Sequence, residues 1–209
     1  MSTITIIGTG NMARTIDTLA VNGGTDVEIM GRDQAKAKAL AQAMGDRATP
    51  GTWGAAPAGD IVIAALLYQS IVPVVTEFGE SLAGKTIVDI TNPFNATGTG
   101  LAVPHTTSVA QQVAEAAPAD AHVVKGFNTL FSHVLGSGRP VDVFLAGDDA
   151  SAKASVSALV ESLGLRPRDT GDLSMAHWVE GAGLLTMGLA RSSGSFDVSL
   201  GVNELAKAS

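Results

Sequence analysis

Near the start of the chain, the apolar run Ile4-Thr5-Ile6-Ile7 passes through Gly8-Thr9-Gly10 into Asn11-Met12-Ala13. This reads as a strand, a glycine turn and the opening of a helix. Gly8 permits the tight turn, Gly10 lets a phosphate approach bare backbone, and small Ala13 lets the helix lie close on the sheet. The first helical N–H groups then face any bound anion with a partial positive charge. In a chain with 24 glycines the bare G-x-G-x-x-A pattern can arise by chance and serve packing alone. Its setting favours a dinucleotide site, because an apolar strand precedes it and Met12, Ile16, Leu19 and Ala20 follow at helical spacing.

The next expected strand, Asp26 to Met30, leads into Gly31-Arg32-Asp33-Gln34-Ala35-Lys36. A fold that selects NAD usually ends this strand on Asp or Glu, about 20 residues past the glycines, to bind the ribose 2′-hydroxyl. Here it ends on Met30 and Gly31. A guanidinium at Arg32 can grip a 2′-phosphate with its planar fork, and Lys36, one turn on, adds a second cation. NADP(H) is therefore expected over NAD(H). The competing reading is a solvated helix start capped by Asp33, and the two are compatible.

With 209 residues and a formal net charge of −7, the chain is long enough for one ordinary core and has no basic surface for a nucleic-acid partner. It contains no cysteine, which excludes disulfides, thiolate metal sites and a cysteine nucleophile and fits a cytoplasmic location. No apolar run reaches the roughly 18 residues of a membrane helix, and no secretory signal is visible. A single domain over 1–209 is expected.

Strands and helices alternate along the chain. The run Asp60 to Leu67 has the continuous apolar character of a parallel strand buried on both faces. Further strands are expected at Lys85 to Ile90, His122 to Phe127 and Val141 to Ala146, with a short edge strand over Leu165 to Thr170. Helices are expected from about Ser70 to Phe78, from Ser108 to about Ala117 and from Asp149 to about Leu163. The pattern predicts an α/β fold with a doubly wound, mostly parallel sheet. A last helix, Leu173 to Arg191, is apolar all round and interrupted by Gly181, Gly183 and Gly188. The segment 173–209 is thus expected in a subunit interface or as a wall of the substrate pocket, the alternative being an ordinary core helix.

Ligands on such sheets bind beyond the carboxyl ends of the strands, which draws attention to Leu66 to Ser70, Thr91 to Phe94 and Asn128 to His133. Asn92 and Asn128 stand where a nicotinamide would lie, or else close Asx turns of their own. Phe94, Phe127 and Phe131 are candidate ring walls, with core packing the favoured role for any one of them. His105, His122, His133 and His177 show no metal-ligand spacing, no serine sits in G-x-S-x-G, and no catalytic acid or base stands out. Hydride transfer between two planar rings needs alignment more than a protein acid or base.

Taken together, Gly8-Thr9-Gly10-Asn11-Met12 with Gly31-Arg32 and Lys36, Thr91-Asn92-Pro93, Lys125-Gly126-Phe127-Asn128-Thr129, Ala146-Gly147-Asp148-Asp149 and Gly164-Leu165-Arg166-Pro167 resemble the F420-dependent NADP reductase family. The resemblance implies a Rossmann-like domain with a small C-terminal helical part, a homodimer, and hydride exchange between NADPH and the deazaflavin coenzyme F420. It further implies that Thr9, Asn11 and Met12 line the pyrophosphate, that Arg32 and Lys36 hold the 2′-phosphate, and that Leu66, Asn92 and Ser132 lie along the ribose and nicotinamide. Gly31 stands where the deazaflavin reductases commonly carry serine. The stretch Lys125 to Thr129 is also similar to the NADPH-binding domains of membrane metalloreductases, which pass electrons to a flavin. The expected activity is an NADP(H)-dependent oxidoreductase acting on F420. The alternatives are a flavin acceptor, a small carbonyl or imine for which His133 or Tyr68 would supply a proton, and a non-catalytic NADP(H) sensor.

Overall fold

In the computed structural model, which describes residues 3–203 and 205, eight strands form one sheet. They are β1 (Thr3–Ile7), β2 (Asp26–Met30), β3 (Ala48–Pro50), β4 (Ile61–Ala64), β5 (Thr86–Asp89), β6 (His122–Lys125), β7 (Asp142–Gly147) and β8 (Arg166–Asp169). Their spatial order is β3-β2-β1-β4-β5-β6-β7-β8. The chain reverses outward direction between β1 and β4, the position at which doubly wound sheets open a crevice for ligands. The end of the expected C-terminal segment, at Glu204 and 206–209, lies outside the described residues.

Helices cover both faces. α1 (Asn11–Asn22), α2 (Gln34–Met44), α5 (Ser132–Leu135) and α6 (Ala150–Ser162) share one apolar cluster with Ile4 and Ile6 of β1. α3 (Tyr68–Phe78), α4 (Val109–Ala116) and α7 (Ala176–Ser193) share the other with Ile7, the period-2 alternation sending neighbouring isoleucines to opposite faces. Ser108 and Asp149 cap α4 and α6 by accepting from Gln111 and Ala152.

Two features depart from the expected pattern. The strand β3 goes unmarked in the sequence because it has three residues and ends in Pro50, a residue an edge strand accepts. The strand β7 runs antiparallel to β6, with β8 parallel to β7. A parallel return needs a full crossover helix, and between β6 and β7 there is only the single turn α5, Ser132–Leu135.

Candidate functional site

The loop after β1 is built around Gly8. Its φ is +135°, and a Cβ there would lie 2.2 Å from the carbonyl oxygen of Ala65 on the neighbouring connection. Only glycine satisfies both constraints. At Gly10 a Cβ would meet no protein atom within 4 Å, so packing does not explain that glycine, whereas close approach of a ligand would. No side chain caps α1, leaving its first turn open toward the loop. α3, which starts across the crevice at Tyr68, also has no side-chain cap. By contrast, Asp33 caps α2 by accepting from the amides of Ala35 and Lys36. The Asp33 carboxyl lies below its ordinary pKa, chiefly because of the Lys36 amide.

A cleft of about 330 Å³ opens between these elements. Gly8, Thr9, Gly31, Arg32, Lys36 and Leu66, expected around the cofactor, all line it, together with Trp53, Leu67 and Ser70. Asn11 and Met12 open α1 directly beyond, the partly buried Met12 side chain packing against the core. Gly31 has its own steric reason. A Cβ would come within 2.9 Å of the Thr9 methyl, so in this chain Thr9 occupies the space a residue-31 side chain would need.

Asn92 lies in a second, smaller cleft of about 140 Å³ with Phe94, Asn128, Phe131, Gly183 and Met187. Neither asparagine closes an Asx turn. Asn92 Nδ2 donates to the Asn128 carbonyl at 2.6 Å, and Asn128 Nδ2 donates to Asn92 Oδ1 at 3.0 Å and to the Val179 carbonyl at 2.9 Å. Asn128 Oδ1 is buried without a partner. Gly183 makes this fit possible, since a Cβ there would stand 2.5 Å from Asn92 Oδ1. Ser132 lines neither cleft and opens α5 one residue past Phe131.

Phe127, a candidate ring wall for which core packing is the favoured role, is fully buried in the core and holds φ +58°, an uncommon value for a bulky residue. Such strain persists only where the surroundings impose it, and it sits directly before Asn128. His133, one of the two proton-donor candidates for a carbonyl or imine substrate, is engaged elsewhere: its Nε2 lies 3.0 Å from the Phe196 carbonyl and 3.2 Å from Asp197. Tyr68 is half-buried against the α3 side of the core and lines neither cleft.

Sequence reasoning missed a buried charge cluster beneath the asparagines. Lys125 Nζ, fully buried, donates to Asp89 Oδ2 at 2.9 Å, to the Thr91 carbonyl at 2.7 Å and to Glu180 Oε1 at 3.1 Å. Asp89 also accepts from the Thr91 amide, and Glu180 from the Val109 amide. Burial raises the Glu180 carboxyl above its ordinary range against the opposing pull of Lys125. These contacts tie the ends of β5 and β6 to α7 and so fix Asn92 and Asn128. The one available signal was a lysine closing an otherwise apolar strand.

The fold is that of an α/β protein of the Rossmann class, with its crevice at the switch point of the sheet. Residues 3–93 match the model of the family "NADP oxidoreductase coenzyme F420-dependent". Over 144 residues it is 33% identical to the F420-dependent NADP reductase of Methanocaldococcus jannaschii, covering 65% of this chain and 64% of that one. Over 179 residues, 84% of this chain, it is 29% identical to Metalloreductase STEAP3 of Rattus norvegicus and spans only 35% of that protein. Among solved structures, a protein of Arthrobacter sp. FB24, provisionally named an F420-dependent NADP reductase, matches with a TM-score of 0.84 and 28% identity over 96% of this chain and 99% of that one. An imine reductase of Aspergillus terreus shares the fold at a TM-score of 0.71 and 24% identity, covering 93% of this chain and 63% of that one. No helix among the described residues is long and apolar enough to cross a membrane.

Proposed function

We propose that the chain is an NADP(H)-dependent oxidoreductase that exchanges a hydride between NADPH and a flat redox ring, the deazaflavin coenzyme F420. The observation that carries this reading is the uncapped glycine turn at Gly8 to Asn11 opening onto a cleft with Arg32 and Lys36 at its mouth and no acid at the end of β2. The pyrophosphate would rest on the backbone of Thr9 to Met12, and Arg32 and Lys36 would hold the 2′-phosphate. Leu66 would lie along the ribose, while Asn92 and Asn128, which line the smaller cleft, would meet the nicotinamide end.

When bound, NADPH would supply the hydride from its nicotinamide C4, the acceptor ring taking it with its electron pair and drawing the balancing proton onto a ring nitrogen from solvent. The chain's residues hold the two rings in register. Among the described residues, none of the side chains lining the smaller cleft is titratable: Asn92, Phe94, Asn128, Thr129, Leu130, Phe131, Thr186 and Met187 offer amides, hydroxyls and apolar faces. A carbonyl or imine would need a proton donor there, and neither His133 nor Tyr68 lines the cleft. This favours a deazaflavin or flavin acceptor, and it is the reason F420 is preferred over the imine chemistry of the Aspergillus neighbour.

The test follows NADPH absorbance at 340 nm with the purified chain and F420, FMN, an imine or no acceptor. Consumption with F420 well above that with FMN and the imine is expected. Turnover of the imine alone would overturn the acceptor assignment, and binding without turnover of any acceptor would make the protein a sensor.

A further inference from the structure

The guanidinium of Arg32 is held from two sides. Its Nη2 donates to Glu77 Oε2 at 3.2 Å, and its central carbon lies 5.3 Å from the centroid of the Trp53 ring. Trp53 in turn donates from Nε1 to the other oxygen of the same carboxylate, Oε1, at 2.7 Å. The indole is anchored edge-on against Phe78 in the core, with ring centroids 5.1 Å apart. Side chains from the end of β2, from the loop after β3 and from α3 thus close around one carboxylate at the mouth of the larger cleft. The Trp53 indole, with Arg32 assisting, keeps the Glu77 carboxyl below its ordinary range.

Stability does not account for this arrangement, since Arg32 and Glu77 are 63% and 45% exposed and an exposed ion pair contributes little. Its electrostatic consequence is larger. Arg32 and Lys36 face Asp33 and Glu77 at the same rim, Lys36 Nζ lying 3.6 Å from Asp33 and Arg32 bonded to Glu77, so the rim is formally neutral. Asp33 is committed to capping α2 through the amides of Ala35 and Lys36. Glu77 has no such backbone duty. It is the one acid at the rim whose charge can change without cost to a helix.

We propose that Glu77 is a specificity-determining residue of this cleft: a fixed anion beside Arg32 that limits how far NADPH is preferred over NADH, with Trp53 positioning it. This rests on the reading that Arg32 meets the 2′-phosphate. Only the cofactor carrying that phosphate feels the repulsion, because NADH presents a neutral hydroxyl at the same point. Glu77 also keeps the Arg32 fork aligned, and in Glu77→Gln a side-chain oxygen remains to accept from Trp53 while the charge is lost.

The test measures dissociation constants of NADPH and of NADH by calorimetry for the full chain and for Glu77→Gln, Trp53→Phe and Arg32→Ala. Glu77→Gln is expected to tighten NADPH about three- to tenfold, the size of removing one charge a few ångströms from a phosphate at an exposed site, and to leave NADH within about twofold. Trp53→Phe, which keeps a ring but loses the indole N–H, is expected to move the ratio part of the way in the same direction. An unchanged or lowered NADPH preference in Glu77→Gln, with Arg32→Ala abolishing that preference, would overturn the proposal alone. If Arg32→Ala leaves the ratio untouched, the cofactor reading fails and takes the proposal with it.

Discussion

Single residues set the geometry of the larger cleft, and the sequence revealed them unevenly. Gly8 was legible because the turn it makes has a known steric need. The reason for Gly31 was not, since it lies in a contact with the Thr9 methyl that no spacing rule expresses. Asp17 was equally hidden. It shares the inner face of α1 with Ala13, Ile16 and Ala20, and both its oxygens are buried without hydrogen-bond partners. Burial raises its carboxyl from 3.8 to about 7, with Arg14 opposing. A raised folded-state value means that the folded chain binds the proton more tightly than the unfolded one. The stability associated with Asp17 is therefore present below pH 4 and is lost as the pH rises to about 7. The loss is roughly 3 to 4 kcal/mol at most. Urea titrations at several pH values should find this slope in the parent chain and a flatter profile for Asp17→Asn; identical slopes would contradict the assignment.

Among the elements, strand and helix alternation was readable because apolar runs and capping residues such as Asp33, Ser108 and Asp149 mark the boundaries locally. Pairing direction was not. Whether β7 returns parallel or antiparallel depends on α5 being a single turn, Ser132–Leu135, in a stretch whose sequence does not fix its length. The charge cluster was unreadable for a related reason: Lys125 and Glu180 are 55 residues apart and meet only after α7 docks on β6. Removing the cation alone would leave Asp89 and Glu180 buried side by side. Lys125→Met is expected to cost about 3 to 5 kcal/mol of unfolding free energy. Adding Glu180→Gln should recover part of that loss, because one uncompensated charge is gone. Strictly additive effects in denaturant melts would show that the two residues do not interact.

At the scale of the whole molecule, both clefts lie where the sheet's carboxyl ends meet helix starts, and α7 supplies Gly183, Thr186 and Met187 to the smaller one. Its opposite side carries Trp178, Leu185 and Leu189, exposed by 67%, 56% and 45%. An apolar helix face of this kind marks an interaction surface, and we propose a second copy of the chain as its occupant. Light scattering should give twice the monomer mass for the parent chain and the monomer mass for Trp178→Asp. A monomeric parent chain at tens of micromolar would remove the dimer from the account. The helix was legible as unusual in the sequence because apolar residues surround it, but its two faces could not be assigned until Gly183 was seen against the asparagine pair.

The proposed function stands on the Gly8 to Met12 turn binding a dinucleotide whose 2′-phosphate Arg32 would hold. Calorimetric titration of NADPH and NADH into the parent chain and Arg32→Ala tests it most directly. Tighter binding of NADPH than NADH by the parent chain is expected, with a loss of about tenfold or more in NADPH affinity alone on substitution, as for a charged hydrogen-bond pair. No heat with either nucleotide, or equal losses for both, would contradict it.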